Sequence, residues 1–252
     1  MRVVTFNANG IRSAARKGFF AWMLAAAPDF VCIQETKAQE HQLPGDAVLA
    51  GYLAVYVDAA RKGYSGVAIY ARSEPERIVR GLGAGLLDEE GRFLRFDYAN
   101  VSICSLYVPS GTSGPERQAV KYAFLERFLP VLAQMRREGR AIVLCGDFNI
   151  AHREIDVFDP KTCARITGFL PPERAWFDRV IDAGWVDAFR VVNQEPKQFT
   201  WWASWRNAFE RNLGWRLDYQ LVTPELAGSV RAAAIARDAR FSDHAPLSID
   251  YA

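Results

Sequence analysis

The sequence predicts a mixed helix-and-strand fold whose strands stack as a two-sheet core. Short β-rich runs recur along the chain and mix alternating with continuous apolar patterns, as strands of stacked sheets do. Helical stretches fall between some of these runs. Half of the 252 residues are apolar, which allows a sizeable core, and no linker or low-complexity segment interrupts them. We therefore expect one domain spanning residues 1–252.

Nine apolar runs are the predicted strands. They are rich in the β-branched and aromatic residues that suit a pleated, partly buried surface. In chain order they are "VVTF", "FVCIQ", "LAVYV", "GVAIYA", "RFLRFDY", "VSICSLYV", "AIVLCG", "RLDYQLVT" and "LSIDY".

Three stretches are predicted helices. The first is "KGFFAWMLAAA", which Pro28 stops, and the third is "PPERAWFDRVIDAG". The clearest is "SGPERQAVKYAFLERFLPVLAQMRREGR", where Ser113 is predicted to cap the helix. Pro130 should kink this helix and Gly139 should end it. Its first turn and apolar stripe are Pro115, Glu116, Val120, Phe124, Phe128, Leu132 and Met135.

Charge and cysteine content exclude few partners. The net charge of +2 neither demands nor excludes nucleic acid, because a basic face can coexist with an acidic pocket. No C-x-x-C pair supports a zinc or redox motif, so buried reduced thiols in a cytoplasmic protein are expected. No run of 18 apolar residues occurs and "MRVVTF" begins directly with a strand pattern, so we expect neither a membrane span nor a signal peptide. The four cysteines are Cys32, Cys104, Cys145 and Cys163.

Polar side chains gather where predicted strands end. "VVTFNANGIR" and "IVLCGDFNIAH" both run an apolar strand into an N-x-N or D-x-N tip, which indicates two similar halves meeting at one pocket or a chance match. A lone Asp or Asn after a strand is usually a turn residue. Several together favour a binding site, because strand-end loops converge on one rim. These residues are Asn7, Asn9, Glu35, Tyr107, Asp147, Asn149, Asp218, Asp243 and His244.

The chemistry of this set predicts a hard metal ion. Carboxylates and carboxamides dominate it and no cysteine stands at a strand end, which suits Mg²⁺ or Mn²⁺. A carboxylate-bound Mg²⁺ beside an oriented histidine suits attack of water on a phosphodiester. The imidazole of His244 needs a carboxylate to fix its tautomer, and Asp218 could be that partner across the pocket.

Nine ordered motifs give a more specific prediction. They are "FNANGIR", "IQETK", "KGYSGVAIY", "LYVPSG", "GDFNIAH", "GFLPPERAWF", "FTWW", "GWRLDYQLVTP" and "FSDHAPL". From residue 2 to about residue 251 the chain resembles the exonuclease III family of apurinic/apyrimidinic (AP) endonucleases, within the endonuclease/exonuclease/phosphatase superfamily. The resemblance implies an α+β fold, a four-layer αββα sandwich of two mainly antiparallel sheets flanked by helices. The strand-end loops would form the active site.

The resemblance also implies an activity. It is that of a DNA repair nuclease that hydrolyses the phosphodiester 5′ to an abasic site in duplex DNA. Mg²⁺ is the implied cofactor, and Mn²⁺ should also support activity. Exonuclease activity from 3′ to 5′ and cleaning of damaged 3′ ends are implied as further activities. We expect duplex DNA with abasic sites or damaged 3′ ends as the partner, a monomer, and a cytoplasmic location, associated with the nucleoid in a bacterium.

Roles for the strand-end residues follow from the same resemblance. Glu35 matches the principal metal ligand, with Asn7 and Asn9 beside the metal or phosphate. Asp147 matches the residue that positions or activates the attacking water, and Asn149 supports it near the metal. Which residue is the general base stays open. Tyr107 matches the phenol near the scissile phosphate, Asp218 and His244 the Asp–His pair, and Asp243 a second carboxylate near the metal.

Aromatic and basic residues are the candidates for DNA binding. Trp201, Trp215 and Leu217 match the positions that line the family's abasic-sugar pocket, where a flipped-out sugar without its base can enter. The alternative for tryptophans is core packing, and for Trp176 and Trp202 the two interpretations stay equally open. Each basic loop residue is either a phosphate contact or a solvated charge. The loop candidates, with the tyrosine among them, are Arg12, Lys17, Arg61, Lys62, Tyr64, Arg206 and Arg211.

Three departures from the family pattern affect these expectations. Ser110 stands where an amide near the phosphate is frequent. The DNA-wedging arginine of some relatives is missing from "SGTSG", and Trp205 could serve as an alternative wedge. Asn9 replaces an aspartate of many relatives, which weakens the case for a tight two-metal site.

Two other functions compete with the nuclease. A superfamily phosphatase acting on a lipid or inositol phosphate would share the fold, but "GWRLDYQ" and the tryptophan-lined pocket argue against it. A catalytically inactive regulator of the catabolite repression control type, acting in translational repression, would share "GFLPPERAW", "NLGWRLDYQ" and "FSDHAPL". Those proteins lack the active-site set, whereas this chain retains Glu35, Asp147 and Asn149.

Overall fold

A computed structural model describes residues 1–83, 87–205 and 207–252. The strands in these ranges are β1 (Arg2–Asn7), β2 (Phe30–Gln34), β3 (Leu53–Val57), β4 (Val67–Ala71), β5 (Arg77–Arg80), β6 (Phe93–Asp97), β7 (Val101–Tyr107), β8 (Ala141–Asp147), β9 (Val186–Asp187), β10 (Trp201–Trp202), β11 (Gly214–Trp215), β12 (Asp218–Val222), β13 (Val230–Ile235) and β14 (Leu247–Tyr251). The α-helices are α1 (Ile11–Arg16), α2 (Phe19–Ala26), α3 (Pro115–Arg137), α4 (Pro160–Cys163), α5 (Pro171–Asp182), α6 (Ala188–Val192) and α7 (Pro224–Ala227). Short 3₁₀ helices span Glu40–Gln42, Gly45–Ala47, Asp88–Glu90, Glu154–Asp156 and Arg237–Ala239.

Two sheets contain most of the strands. Across the described ranges each sheet has six strands, in the orders β13-β14-β1-β2-β4-β3 and β5-β6-β7-β8-β12-β9, and β10 pairs with β11 as a separate ribbon. Each large sheet has one parallel pair, β1 with β2 or β7 with β8. The other pairs are antiparallel. The predicted mainly antiparallel sheets are therefore confirmed.

Three apolar clusters hold the layers together. The central cluster joins inward-facing residues of both sheets, for example Cys32 on β2 with Val143 on β8. A second packs the outer face of the β8 sheet against α3 and α5, and a third packs the outer face of the β1 sheet against α1 and α2. Burial of apolar surface on both faces of each sheet is the main stabilising term for such a stack. The four-layer αββα order is therefore confirmed.

The helix predictions were right in position and wrong in one detail. The three predicted helices correspond to α2, α3 and α5, and Pro130 lies inside α3 without ending it. Ser113 does not cap α3. Gly114 occupies the cap position with φ +106°, and Pro115 begins the helix because its ring sets a helical φ. Val120 is half-buried, whereas the rest of the predicted stripe is buried. In the described part of the chain, no helix is long and apolar enough to cross a membrane.

The sequence patterns missed several short or weakly apolar elements. These include α1, β5, β9 and the β10–β11 ribbon. The alanine-rich strand β13 was also missed, because its only β-branched residues are the two at its ends and three of its six residues are exposed. It forms by pairing with β14, with a register shift near Val230.

The sheet topology brings the predicted polar tips to one edge. The parallel strands β1 and β2 end together, with Asn7 opposite Gln34, and β7 and β8 end together, with Tyr107 opposite Asp147. The antiparallel strand β12 starts at this same edge, because Asp218 lies opposite Asp147. Strand β14 likewise starts at this edge beside β1. The edge therefore collects residues from all parts of the chain.

The two tips that look alike in sequence also share a local geometry. The backbone N–H of Asn9 donates to Asn7 Oδ1 at 2.9 Å, and that of Asn149 donates to Asp147 Oδ1 at 2.8 Å. Asn9 and Asn149 both have a positive φ, +42° and +51°, which asparagine tolerates better than most residues. Each tip therefore ends its strand in the same turn.

Candidate active site

Asn7 joins the two sheets at the shared edge. Its buried Nδ2 donates to Glu35 Oε1 and to Asp147 Oδ2, both at 2.8 Å. Glu35 follows β2 in the first sheet, and Asp147 ends β8 in the second. One amide therefore holds together two carboxylates from different sheets, in the place where the sequence predicted a single rim.

Glu35, Asn9 and Asp243 bring their side-chain oxygens together in what we call the acidic corner. Lys37 Nζ lies 2.6 Å from Glu35 Oε2 and 2.5 Å from Asn9 Oδ1. Asn9 Nδ2 in turn donates to Asp243 Oδ1 at 2.9 Å. Burial opposes ionisation of Glu35, but the Lys37 charge and the hydrogen bonds from Asn7 and Lys37 lower its pKa. Sequence analysis missed Lys37, although the motif "IQETK" contains it.

His244 and Asp218 form the contact that the sequence predicted. His244 Nδ1 lies 2.8 Å from Asp218 Oδ2, and both side chains are buried. Burial opposes a charge on the imidazole, but the charge and hydrogen bond of Asp218 raise the pKa of His244 to about 10, with help from Asp147 and Asp243. His244 Nε2 lies 3.9 Å from Asp147 Oδ2, beyond hydrogen-bond distance. The imidazole is therefore held as a cation at neutral pH, with Nε2 beside Asp147.

Asp147 is the most perturbed carboxyl group of the site. Burial raises its pKa to about 7, and the charges of Asp218 and Glu35 act in the same direction. The His244 charge and the Asn149 backbone N–H act in the opposite direction. Asn149 Nδ2 also lies 3.3 Å from Asp147 Oδ2. A carboxyl group whose pKa lies near the working pH can gain and lose a proton during a reaction.

Arg92 supports the predicted phenol, Tyr107. The guanidinium carbon lies 4.6 Å from the Tyr107 ring centroid, and Nη1 donates to the Tyr107 carbonyl at 3.0 Å. Burial and the Glu35 charge raise the pKa of Tyr107 well above its ordinary value, although Arg92 acts in the opposite direction. The phenol is therefore a protonated donor at neutral pH. Arg92 lies outside the nine motifs, so the sequence offered no signal for it.

An open cavity of about 490 Å³ adjoins these groups. Asn9, Glu35, Tyr107, Asn149, Asp243 and His244 line its polar side. The apolar part of the lining is a wall formed by Trp201, Trp215 and Leu217 together with Phe158, Ile166 and Leu213. The Trp201 and Trp215 rings meet nearly at right angles, 6.4 Å between centroids. Trp201 Nε1 donates to Asp243 Oδ2 at 3.1 Å, which ties this wall to the acidic corner.

The structure separates the other predicted binding residues into two groups. Ser110, Tyr64 and the half-exposed Trp205 line the cavity. Arg12, Lys17 and Arg211 are exposed and do not line it. Arg206 lies outside the described residues. Trp176 and Trp202 are buried, which favours core packing for both.

A basic rim residue was missed. Arg117, in the first turns of α3, lines the cavity, and its Nη2 donates to the Tyr64 hydroxyl at 2.7 Å. Arg92 Nη2 donates to the same hydroxyl at 3.0 Å, and the Tyr64 hydroxyl lies 3.2 Å from Glu90 Oε2. The sequence predicted helix α3 but did not show that its first turn faces the cavity, which is why Arg117 was missed.

Comparison with known proteins identifies the family. The model of the endonuclease/exonuclease/phosphatase family matches residues 4–244. The chain belongs to this family. It is also 34% identical over 251 residues to the exodeoxyribonuclease of Bacillus subtilis (strain 168), a match that covers 99% of this chain and 98% of the relative. Full-length similarity of this kind makes the chain an exonuclease III-like nuclease.

Two solved structures in the endonuclease/exonuclease/phosphatase family share the fold. An AP endonuclease from Archaeoglobus fulgidus is 32% identical, with a TM-score of 0.90 over 100% of this chain and 99% of that one. The 3′ phosphatase NExo from Neisseria, bound to a product DNA hairpin, is 29% identical, with a TM-score of 0.87 over the same shares. The chain is thus similar to family members described by different activities.

Endonuclease/exonuclease/phosphatase proteins depend on a divalent metal, and the residues here fit one. The donors are hard oxygen atoms, which suit magnesium-like ions. The Lys37 ammonium lies between Glu35 and Asn9 oxygens, so these oxygens already contact a positively charged group. Asp147, Asp218 and His244 also come within 4.8 Å of one another. Within this trio, His244 Nδ1 already contacts Asp218 Oδ2 at 2.8 Å.

The raised pKa of His244 predicts a pH dependence of stability in the metal-free nuclease. A histidine with a folded pKa of about 10 and an unfolded pKa of about 6.5 stabilises the fold fully below pH 6.5. This contribution is lost as the pH rises towards 10. With EDTA present, the urea midpoint of the wild type should fall more steeply between pH 6.5 and pH 10 than that of His244→Asn. Parallel curves would contradict the charged Asp218–His244 pair.

Proposed function

We propose that this nuclease hydrolyses, with Mg²⁺, the phosphodiester 5′ to an abasic site in duplex DNA. The observation that carries the proposal is the hydrogen bond from Trp201 to Asp243. It places the apolar slot, which is the part of the cavity lined by Trp201, Trp215 and Leu217, directly beside the acidic corner. A sugar that has lost its base fits such a slot, whereas a full nucleotide is larger and more polar. The phosphate on its 5′ side would then lie between Glu35 and His244.

The residues of the site can perform each step of this hydrolysis. Asp147 positions a water molecule and takes its proton as the water oxygen bonds to phosphorus. The His244 imidazolium and the Tyr107 hydroxyl donate hydrogen bonds to phosphoryl oxygens as negative charge builds. The P–O3′ bond breaks, the leaving 3′ oxygen takes a proton from a solvent water in the open cavity to become a hydroxyl group, and Asp147 later returns its proton to solvent. Mg²⁺ held by Glu35 would neutralise phosphate charge and stabilise the leaving oxygen.

The same site supports a second activity at 3′ ends. A terminal phosphate or nucleotide on a recessed 3′ end presents the same phosphorus chemistry, and the 3′ phosphatase NExo shares this fold at 29% identity. We therefore propose 3′–5′ exonuclease and 3′-end-cleaning activity beside incision. A binding-only regulator is disfavoured because Glu35, Asp147 and Asn149 are retained, with Asn7 linking Glu35 to Asp147 and the Asn149 N–H donating to Asp147. A lipid or inositol phosphatase is disfavoured by the aromatic slot.

We propose duplex DNA as the partner and a monomer as the active form, since the acidic residues and the tryptophan-lined part of the cavity adjoin each other within one chain. Mn²⁺ should replace Mg²⁺, since both accept the same oxygen ligands. A cytoplasmic location, next to the nucleoid in a bacterium, stays a prediction.

One assay tests the proposed function. A duplex with a single abasic analogue is incubated with the protein in Mg²⁺ and, separately, in EDTA. We expect one cut immediately 5′ to the analogue in Mg²⁺ and none in EDTA. Cleavage only from the 3′ end would favour the exonuclease activity alone. Binding without cleavage in Mg²⁺ would favour the regulator.

Trp201→Ala and Trp215→Ala should weaken discrimination for abasic DNA. Both changes remove ring area from the slot wall, so a full nucleotide meets less steric opposition. The ratio of incision rates for abasic and intact duplex should fall by about tenfold, the scale of one altered apolar contact, while incision itself partly survives. Trp185→Phe, a buried core tryptophan outside the cavity, is the control. Wild-type selectivity in both slot variants would place the sugar elsewhere.

A further inference from the structure

A fully buried ion pair lies behind the catalytic edge. Lys121 on α3 and Glu173 on α5 both have 0% side-chain exposure, and Lys121 Nζ lies 2.5 Å from Glu173 Oε1. Burying two charges is costly, and an apolar pair of similar size is often as stable or more stable. The pair is therefore better explained by the groups that it holds in place than by stability alone.

Lys121 holds the tip of β8. Its Nζ donates to the Asn149 carbonyl at 2.8 Å. Asn149 has the left-handed φ of +51° and contacts Asp147 twice, through its backbone N–H at 2.8 Å and through Nδ2 at 3.3 Å. The orientation of the Asp147 carboxylate thus depends on the Asn149 backbone N–H and side chain, and the Lys121 ammonium holds the next peptide group through the Asn149 carbonyl.

Glu173 holds the wall of the cavity. Its Oε2 accepts the backbone N–H groups of Gly168 at 2.6 Å and Leu170 at 3.0 Å. Gly168 lies close to both parts of the site, because a side-chain carbon there would lie 3.1 Å from the Asn149 carbonyl oxygen and 3.3 Å from the Trp215 ring. The Gly168 carbonyl also accepts the Ala151 N–H at 2.7 Å. Glu173 therefore sets the distance between the slot wall and the β8 tip.

We infer that Lys121 and Glu173 are positioning residues that align Asp147 with the abasic-sugar slot. The inference deepens and rests on the proposed function. Lys121 acts through Asn149 on the carboxylate, and Glu173 acts through Gly168 on the wall beside Trp215. Because the two side chains also bind each other, a shift of either the tip or the wall would disturb the other.

The test is the double variant Lys121→Met with Glu173→Gln. Methionine keeps the length of lysine without its N–H groups, and glutamine keeps an acceptor oxygen for Gly168 and Leu170. The single-turnover incision rate per active molecule should fall about 10- to 100-fold, the scale for losing an outer contact of a catalytic group. Affinity for the abasic duplex and melting temperature should stay close to wild type. Glu173→Gln alone, which keeps Lys121 on Asn149, should retain most of the rate.

The matched control is Arg95→Met, which breaks another largely buried pair, with Asp97 and Glu138, outside the cavity. It should lower the melting temperature and leave the rate unchanged. A wild-type rate in the double variant would overturn the inference, whereas a wild-type protein that does not incise would contradict the proposed function. Hydrogen exchange of residues 147–151 is independent of activity: it should accelerate in the double variant, and unchanged exchange would also overturn the inference. If the double variant does not fold, Lys121→Gln replaces it in both measurements.

Discussion

Glu35→Gln is expected to abolish Mg²⁺-dependent incision while leaving the protein folded and able to bind duplex DNA. Glutamine keeps the acceptor for Asn7 Nδ2, so the link between the sheets survives, but the charge that would hold the metal is lost. A bound metal contributes several kcal/mol to the transition state, so the rate should fall by about three orders of magnitude or more. Single-turnover incision in saturating Mg²⁺, with duplex affinity measured in EDTA, checks both parts.

The control for Glu35 is Glu76→Gln, an exposed carboxylate that does not line the cavity. It should incise at the wild-type rate. Raising the Mg²⁺ concentration should recover little of the activity of Glu35→Gln, because the amide lacks the negative charge of the carboxylate. Normal turnover by Glu35→Gln at ordinary Mg²⁺ would remove Glu35 from the metal site.

His244→Asn and Asp218→Asn are each expected to lower the incision rate by about a hundredfold or more, the scale of losing one preorganised donor. His244 Nδ1 is 2.8 Å from Asp218 Oδ2, and this contact keeps the imidazole charged and oriented. The double variant should be little slower than either single variant, because the two residues act as one unit. Single-turnover rates for all three proteins, each corrected for the active fraction, test the expectation.

A purely structural role for the pair makes a different forecast. The variants would then melt at lower temperature and keep the wild-type rate per folded molecule. His152→Asn is the matched control, because His152 is another buried histidine, 2.6 Å from Asp178, and does not line the cavity. It should lose stability without losing rate. If His244→Asn behaves like His152→Asn, the catalytic role of His244 is wrong.

Local patterns were sufficient for most elements and for the types of residue in the site. All nine predicted strands exist, because each apolar run provides side chains that the sheet stack buries, on both faces in most strands and only partly in β3 and β14. The missed strand β13 is mostly alanine and arginine between its end residues, so its strand conformation depends on pairing with β14. Ser113 failed as a cap because the fixed φ of Pro115 began the helix one residue later. The polar tips were predictable because short polar residues directly follow apolar runs, and this change in pattern marks the end of a strand.

Contacts between distant residues were less accessible from sequence. Lys37, Arg92 and Arg117 reach the site through sheet pairing and through the direction of α3, and no local pattern separates them from surface charges. The sequence also did not show which basic residues line the cavity. Arg12 and Lys17 are near the first motif in sequence yet do not line it. The residue roles came from the resemblance, and the geometry supports them without testing them.

The amino-acid sequence by itself determined nine of the strands, the three predicted helices, the hard-oxygen character of the rim and the family. The tendency of a residue to be buried, to form a turn or to act as a hard ligand depends on that residue and its near neighbours. These properties can therefore be predicted from the sequence. Only the tertiary structure decided which tips meet. The Asn7 amide bridges Glu35 and Asp147 across two sheets, and Lys121 and Glu173 connect the β8 tip with the slot wall. Such contacts depend on the packing and register of whole sheets, and the sequence motifs do not specify that register.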